Sequence, residues 1–126
     1  MILDLKKNKT VCDVRVEFTN EFPFLAIEFY KLVQGRLGSS IRQKMVKSTG
    51  LANSGLRREG QLEVLETMTV KQLEKTFIEQ FGLLVQVSRK SGTVWLETTI
   101  SDGWTLKQQN EHGRELSEPA RKIGGH

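Results

Sequence analysis

Large apolar residues recur at helical spacing in two stretches of the chain that lie 59 positions apart. Both stretches begin with Thr-Val and then place apolar side chains at successive offsets of 3, 4 and 4 residues. The two sets are Val11, Val14, Phe18 and Phe22, and Val70, Leu73, Phe77 and Phe81. Each stretch is therefore predicted to form an amphipathic helix with one buried side.

The residues at the ends of both stretches are those that start and stop helices. Thr10 is predicted to cap the first helix, with Asp13 as its partner three residues later, and Thr69 forms a capping box with Gln72. The proline after the first stretch ends that helix, because the residue before a proline is pushed out of the α region. Gly82 supplies a left-handed residue at the end of the second helix.

Each predicted helix runs into a segment in which apolar and polar residues alternate, which is the pattern of a half-buried strand. The inward residues are Leu25, Ile27 and Phe29 after the first helix, and Leu83, Val85 and Val87 after the second. A turn over 89–92 leads to a further strand over 94–100. Residues 62–65 are predicted to form the fourth strand.

These elements predict an α+β fold, a two-layer sandwich in which a four-stranded mixed sheet carries two main helices on one face. The repeat indicates a duplicated helix–strand unit, first over 10–31 and then within 61–112. The passage through the second helix is predicted to be a right-handed crossover between parallel strands. A short third helix is predicted over 104–110. We expect one domain, 1–113, and a disordered tail over 114–126.

The segment 35–60 connects the two units and holds most of the chain's positive charge. The net charge is +4, and this connector has six basic residues against one acid. Its glycines and serines predict a mobile segment, with at most one short helix over 41–47 capped by Ser40 and Gln43. Such a segment is typical of a solubilising loop or of non-specific phosphate contact. The possible phosphate contacts are Arg36, Arg42, Lys44, Lys47, Arg57 and Arg58.

The overall composition is that of one ordinary globular domain. The chain has 126 residues, of which 37% are hydrophobic and 27% charged. Its single cysteine, Cys12, excludes an intramolecular disulfide and fits a reducing compartment. The apolar runs are too short for a signal peptide or a membrane span. We therefore expect a cytoplasmic protein that does not associate with a membrane.

Residues that could carry catalysis are few. Ser101, Asp102 and His112 supply the residue types of a hydrolytic triad, but a solvated polar helix end is the favoured interpretation, because such trios often arise by chance. Cys12 fits an ordinary semi-buried cysteine. The sequence has no cysteine–histidine cluster with zinc spacing and no glycine-rich phosphate loop. We therefore expect no enzymatic activity, no metal and no cofactor.

The main candidate binding surface is the sheet face turned away from the helices. The strand phase places Tyr30, Leu84 and Trp95 on that face, together with Glu28 and Glu97. Aromatic residues on an open sheet are typical of platforms that stack RNA bases, but the two carboxylates would repel phosphates. A mixed aromatic and polar face better suits a protein partner or a homodimer. Alternatively, the third helix or the tail covers it.

Several motifs together resemble those of one family. They are Met68-Thr69-Val70-x-x-Leu73-Glu74, Phe81-Gly82-Leu83, Val85-Gln86-Val87-x-Arg89-Lys90-Ser91-Gly92-x-Val94-Trp95-Leu96-Glu97 and Trp104-Thr105-Leu106. The chain resembles a family of small uncharacterised bacterial proteins typical of the Bacteroidetes, and Phe22-Pro23-Phe24-Leu25-x-Ile27-Glu28-Phe29 is similar to the family's first half. The resemblance spares the connector and the tail. It implies a bacterial, cytosolic protein and carries no assigned activity.

Taken together, the sequence predicts a small non-catalytic interaction module that binds a protein partner or itself through the open sheet face. The alternative is an accessory nucleic-acid-binding protein that uses the basic connector over 35–60.

Overall fold

The computed structural model describes residues 1–118. Its strands are β1 (Ile2–Leu5), β2 (Leu25–Gln34), β3 (Ser40–Lys44), β4 (Gly60–Glu63), β5 (Leu84–Ser91) and β6 (Val94–Glu97), and its helices are α1 (Val11–Glu21), α2 (Val70–Thr76) and α3 (Leu106–Ser117). A π-helical turn, Phe77–Phe81, continues α2. The predicted α+β class is confirmed. The predicted tail begins inside α3, so residues 114–117 are helical, and residues 119–126 lie outside the described residues.

The strands form two antiparallel sheets. The larger sheet has the order β3-β2-β5-β6, and the smaller sheet pairs β1 with β4. Glu28 lies opposite Gln86 in the central ladder, and Leu3 lies opposite Leu62 in the small sheet. The predicted mixed sheet is wrong, because every ladder of the described chain is antiparallel. β4 pairs with β1 instead of β5, so the predicted parallel crossover through α2 is wrong as well.

Both predicted helix starts are confirmed by their hydrogen bonds. The Thr10 hydroxyl accepts the Asp13 N–H at 3.1 Å, and the Asp13 carboxylate accepts the Thr10 N–H at 2.9 Å. This second bond is the main reason why the pKa of Asp13 is lowered. Thr69 and Gln72 form the same reciprocal pair at the start of α2. Thr105 caps α3, which runs further than the predicted 104–110.

The core lies between the helices, the inner face of the larger sheet and the small sheet. All six strand residues predicted to point inward are buried, as are the helix stripes. The Phe29 and Phe77 rings meet edge to face with centroids 6.0 Å apart. β1 and β4 add the buried residues Leu3, Leu5, Leu62 and Val64. The small sheet therefore closes a core that the sequence assigned to the helices and one sheet.

The connector 35–60 contains regular secondary structure. Residues 40–44 form β3 and pair with residues 30–34 of β2, while Arg36–Gly38 and Leu51–Asn53 form short 3₁₀ turns. The short helix predicted over 41–47 is therefore wrong, because residues 40–44 form a strand, whereas the predicted mobility of the connector stays a prediction. β3 forms because the second half of β2 extends beyond β5 and offers backbone groups that need partners. Leu51 is also fully buried, which attaches the connector to the core.

The beginnings of α1 and α2 make matching backbone contacts. The Val11 N–H donates to the Thr49 carbonyl at 2.9 Å, and the Val70 N–H donates to the Trp104 carbonyl at 3.1 Å. A fully buried leucine follows each of these carbonyls: Leu51 and Leu106. Both halves of the described chain therefore begin with a strand, a helix and two further strands, after which the first half has the 3₁₀ turn Leu51–Asn53 and the second half has α3.

Candidate functional site

The larger sheet presents a polar and aromatic surface on the side away from the core. Residues directly opposite each other in an antiparallel ladder project to the same side, so the register defines this surface. We call it the open face, and its members are Ala26, Glu28, Tyr30, Leu32, Arg42, Lys44, Leu84, Gln86, Ser88, Lys90, Trp95 and Glu97. It unites the predicted aromatic residues with basic residues that the sequence placed in a separate connector.

Arg42 spans the open face from one edge of the sheet to the other. Its Nη2 lies 2.8 Å from the Glu97 Oε2, although β3 and β6 are the two outer strands. Its Nη1 donates to the Gln86 Oε1 at 3.4 Å. The guanidinium also lies over the Tyr30 ring, 4.1 Å from the centroid. The sheet is therefore curled, and one side of the Tyr30 ring is covered.

A second ionic group lies in the middle of the open face. The Glu28 carboxylate receives the Arg15 Nη2 from α1 at 2.9 Å, and the Lys44 Nζ lies 3.6 Å from the same oxygen. The Glu28 side chain is only 16% exposed, so water screens this group less than a surface pair. Two cations thus share one carboxylate, which leaves this part of the face positive.

A half-buried carboxylate of α2 contacts β5 at the same level. The Glu74 Oε2 accepts the Val87 N–H at 2.9 Å and the Gln86 Nε2 at 3.3 Å. Burial raises the pKa of Glu74, and the negative charges of Asp102 and Glu97 raise it further, while the Val87 hydrogen bond acts in the opposite direction. The carboxylate therefore accepts the Val87 N–H as the carbonyl of a neighbouring strand would, and its own ionisation is less favourable at this position.

The open face encloses a cavity of about 340 Å³. Its lining includes Arg15, Glu28, Tyr30, Lys44, Ser88 and Trp95. The Trp95 side chain borders the cavity and is 45% exposed. The cavity thus offers an aromatic wall beside both positive and negative groups, which suits contact with a mixed polar and apolar surface.

The structure brings two of the three predicted interface residues together. Tyr30 and Trp95 line the same cavity, while Leu84 lies opposite Tyr30 and is half-buried outside it. α3 packs on the other side of the sheet, where the Gln109 Oε1 accepts the Arg89 Nη1 at 2.8 Å. The third helix therefore does not cover Trp95, and the predicted covering by the tail lies outside the described residues.

Two of the predicted phosphate contacts hold the end of α2. The Arg57 Nη2 donates to the Ile78 carbonyl at 3.0 Å, and the Arg58 Nε donates to the Gln80 carbonyl at 2.9 Å. Arg58 also stacks on the Phe81 ring at 4.5 Å. The last carbonyls of a helix lack intrahelical partners, and cations near them are favourable. Arg57 and Arg58 are therefore C-terminal caps that sequence spacing did not reveal.

The other four predicted contacts lie on or near the β2–β3 hairpin. Arg42 and Lys44 belong to the ionic groups of the open face, whereas Arg36 lies at the tip of the hairpin and Lys47 beyond β3. Both Arg36 and Lys47 are exposed. The sequence has no acidic residue between positions 29 and 58. This side of the protein is consequently positive even though Arg42 is paired.

The three residue types of the hydrolytic triad have other partners. The Ser101 hydroxyl accepts the Gln109 Nε2 at 2.9 Å, and the Asp102 carbonyl accepts the Lys71 N–H. The His112 ring lies 5.5 Å from the Trp104 ring, and its Nδ1 is 3.6 Å from a Glu115 oxygen. Within residues 1–118, no hydrogen bond or ion pair joins two members of this trio.

Within residues 1–118, no group of three or more His, Cys, Asp or Glu residues is arranged to hold a metal ion. None of the helices in that part of the chain has both the length and the apolar character needed to cross a membrane.

Family models, curated proteins and solved structures were compared with this chain, and none of them matches it. The resemblance to the bacterial family therefore remains an expectation from motifs, and the open face is the basis for a functional argument.

Proposed function

We propose that this protein is a non-catalytic interaction module that binds a protein partner or a second copy of itself through the open face. The observation that carries the proposal is the exposure of Trp95 beside the cavity. An exposed aromatic residue with a polar rim is typical of interaction sites, and tryptophan is enriched among the residues that dominate binding.

The polar part of the open face supports a protein partner over an RNA base platform. Arg42 already lies over the Tyr30 ring, so that ring has one side fewer for a base. Mixed charges around an aromatic residue instead provide the complementary contacts of a protein interface. The motif resemblance and the single cysteine support a bacterial cytoplasmic location.

A two-layer fold made of a duplicated unit is part of this proposal. The two ladders that join the halves pair Leu3 with Leu62, which are 59 positions apart, and Glu28 with Gln86, which are 58 positions apart. The matching capping boxes and backbone contacts of α1 and α2 support the same interpretation. Arg15 and Glu74 occupy equivalent positions in the repeat. Arg15 contacts Glu28 and Glu74 contacts Gln86, so the two halves carry opposite charges at the ladder where they meet.

Capture with a matched control tests the protein-partner proposal. The wild-type chain, Trp95→Ala and Val16→Ala are immobilised and exposed to lysate of the native cell. Val16 is a suitable control because it is 51% exposed and lies on α1. We expect a stoichiometric partner, identified by mass spectrometry, on the wild type and Val16→Ala but not on Trp95→Ala. Equal capture by all three proteins would contradict a role for the open face.

A nucleic-acid function is the second candidate, and the uniform positive charge between positions 29 and 58 favours it. Replacement of Arg36, Lys44 and Lys47 by Gln should abolish binding to a single-stranded RNA probe in an anisotropy titration, and wild-type affinity should fall steeply with salt. Arg57→Gln should lower stability and leave RNA affinity unchanged, because Arg57 caps α2. RNA binding that ignores salt, or that survives the triple replacement, would remove this candidate.

A further inference from the structure

β6 is an outer strand whose four residues are all exposed. Val94, Trp95 and Leu96 are 53%, 45% and 44% exposed. Within residues 1–118, β5 is the only strand paired with β6, so its outer edge has no strand partner there. Such an edge is a template on which a further strand can form hydrogen bonds.

The backbone groups that face this outer edge belong to Trp95 and Glu97. Residues of an antiparallel ladder alternate between those that bond the neighbouring strand and those that face away from it. The Thr98 N–H donates to the Val87 carbonyl at 3.2 Å, which sets the phase of this alternation. Leu96, two residues earlier, bonds β5 as well, and Trp95 and Glu97 direct their N–H and C=O groups outward.

β6 lacks the features that usually protect an edge strand. Such strands commonly carry outward charges, a proline or a bulge. The one charged residue of β6 is Glu97, and Arg42 of the same chain already pairs with it. The other edge of the sheet, β3, carries Arg42 and Lys44, so two β3 edges would bring like charges together. β6 is therefore the edge at which two copies can meet without repulsion.

The outward groups restrict how two β6 strands can pair. Antiparallel hydrogen-bonded pairs can form between two Trp95 residues, between Trp95 and Glu97, or between two Glu97 residues. The last arrangement places two carboxylates opposite each other and is unfavourable. The second is two-fold symmetric, because Trp95 of each copy pairs with Glu97 of the other, and it yields four backbone hydrogen bonds. Leu96 then lies opposite Leu96 of the second copy.

We propose that β6 docks a second copy of this chain in this register and joins two four-stranded sheets into one continuous eight-stranded sheet. This inference rests on the proposed function, since it identifies a partner as a second copy. The edge pairing places the contact at the outer edge of β6, whereas the proposed function places it on the open face. An experiment can therefore contradict one of these proposals without contradicting the other.

Sedimentation combined with hydrogen exchange tests the edge pairing. We expect the wild-type mass to double as concentration rises, and Leu96→Lys to remain monomeric because it places two cations opposite each other. Val16→Lys, at a similarly exposed position away from the sheet edge, should still form the dimer. The amides of Trp95 and Glu97 should exchange more slowly as dimer forms, while the Val94 amide, already bonded to β5, should not change.

Each contrary result has a definite meaning. A wild-type chain that stays monomeric up to about 1 mM, the weak end of specific association, would overturn the edge pairing. A dimer in which the Trp95 and Glu97 amides exchange as fast as in the monomer would also overturn the edge pairing. So would a dimer that persists in Leu96→Lys, and either result would be compatible with a contact through the open face. A chain that ends at Glu118 tests whether residues 119–126, and not a second copy, contact the edge of β6. If only this shortened chain forms the edge dimer, the proposal is wrong for the intact protein.

Discussion

Arg42 and Glu97 lie on opposite outer strands of the larger sheet, yet their side chains meet at 2.8 Å across its open face. A flat four-stranded sheet would hold its outer strands about 14 Å apart, since neighbouring strands are separated by 4.7–4.9 Å. The contact therefore reports a strongly curled sheet as well as a long arginine side chain. The curl creates the cavity that Tyr30 and Trp95 share.

The Arg42–Glu97 pair should contribute little to stability despite its central place. The two side chains are 41% and 46% exposed, and exposed pairs typically contribute about 0.2–1 kcal/mol. A double-mutant cycle with Arg42→Ala and Glu97→Ala should therefore give a coupling energy below about 1 kcal/mol that decreases with salt. The free energy of unfolding from denaturant titration measures it. A salt-independent coupling of several kcal/mol would mean that the pair holds the sheet closed.

The aromatic residues at equivalent helix positions should be equally important for stability. Phe18 and Phe77 are both fully buried, and truncation of such a residue typically costs about 3–5 kcal/mol. Denaturant midpoints of Phe18→Ala and Phe77→Ala measure the losses, with the exposed Val16→Ala as control. A loss at one site and indifference at the other would contradict a core shared equally by the two halves.

Gly113 should be intolerant of even a methyl group. A Cβ built there would lie 2.8 Å from the Phe24 Cβ and 3.1 Å from the Phe24 carbonyl oxygen, because α3 packs closely against this segment. Alanine normally stabilises a helix interior by about 1 kcal/mol relative to glycine, so a loss of stability in Gly113→Ala would reverse the usual sign. Gly103→Ala is the control, since no atom lies within 4 Å of its built Cβ. Thermal melting distinguishes the two, and a more stable Gly113→Ala would contradict the close packing.

The half-buried Glu74 carboxylate should make stability depend on pH. Because burial raises its pKa in the folded state, the folded protein holds this proton more tightly than the unfolded chain, in which 4.5 is the ordinary value. The contribution of Glu74 to stability therefore falls as pH rises from below 4.5 through the folded pKa. Glu74→Gln keeps an oxygen for the Val87 N–H and removes the charge.

The free energy of unfolding of Glu74→Gln should consequently increase relative to wild type between about pH 4 and pH 7. The exposed Glu79→Gln serves as the control for the loss of one carboxylate. A constant difference for Glu74→Gln would show that the carboxylate ionises in the folded state as easily as in water.

Local signals allowed the sequence to predict the helix ends and the inward strand faces. Thr10 and Thr69 cap as expected because a capping box needs only residues three positions apart. Period-two alternation likewise placed Ile27 and Val87 in the core, since it depends only on the strand itself. These features depend on a few neighbouring residues, so the tertiary structure does not alter them.

The turn over 89–92 correctly predicted that β5 pairs with β6, but the partner of β4 depends on distant residues, and the parallel pairing expected for it was wrong. β1 has only four residues, and its pairing with β4 joins positions about sixty residues apart, so its own sequence gave little signal. One signal was present nonetheless: Leu3-Asp4-Leu5 precedes Leu62-Glu63-Val64 by the same 59 positions as the helix repeat.

The open face was predicted only in part for the same reason. Alternation placed Trp95 and Tyr30 on it, but the Arg42 contact requires a strand in a segment expected to be irregular. Arg15, which reaches Glu28 from α1, was also missed, because no local pattern links a helix residue to one particular strand residue.

Sedimentation and thermal melting of Trp95→Ala, beside the wild-type chain, test the central claim most directly. Trp95 is 45% exposed on the open face, so its removal should leave the melting temperature nearly unchanged while association with the partner or with a second copy weakens. A lower melting temperature with association unchanged would contradict the account, since Trp95 would then stabilise the fold rather than bind.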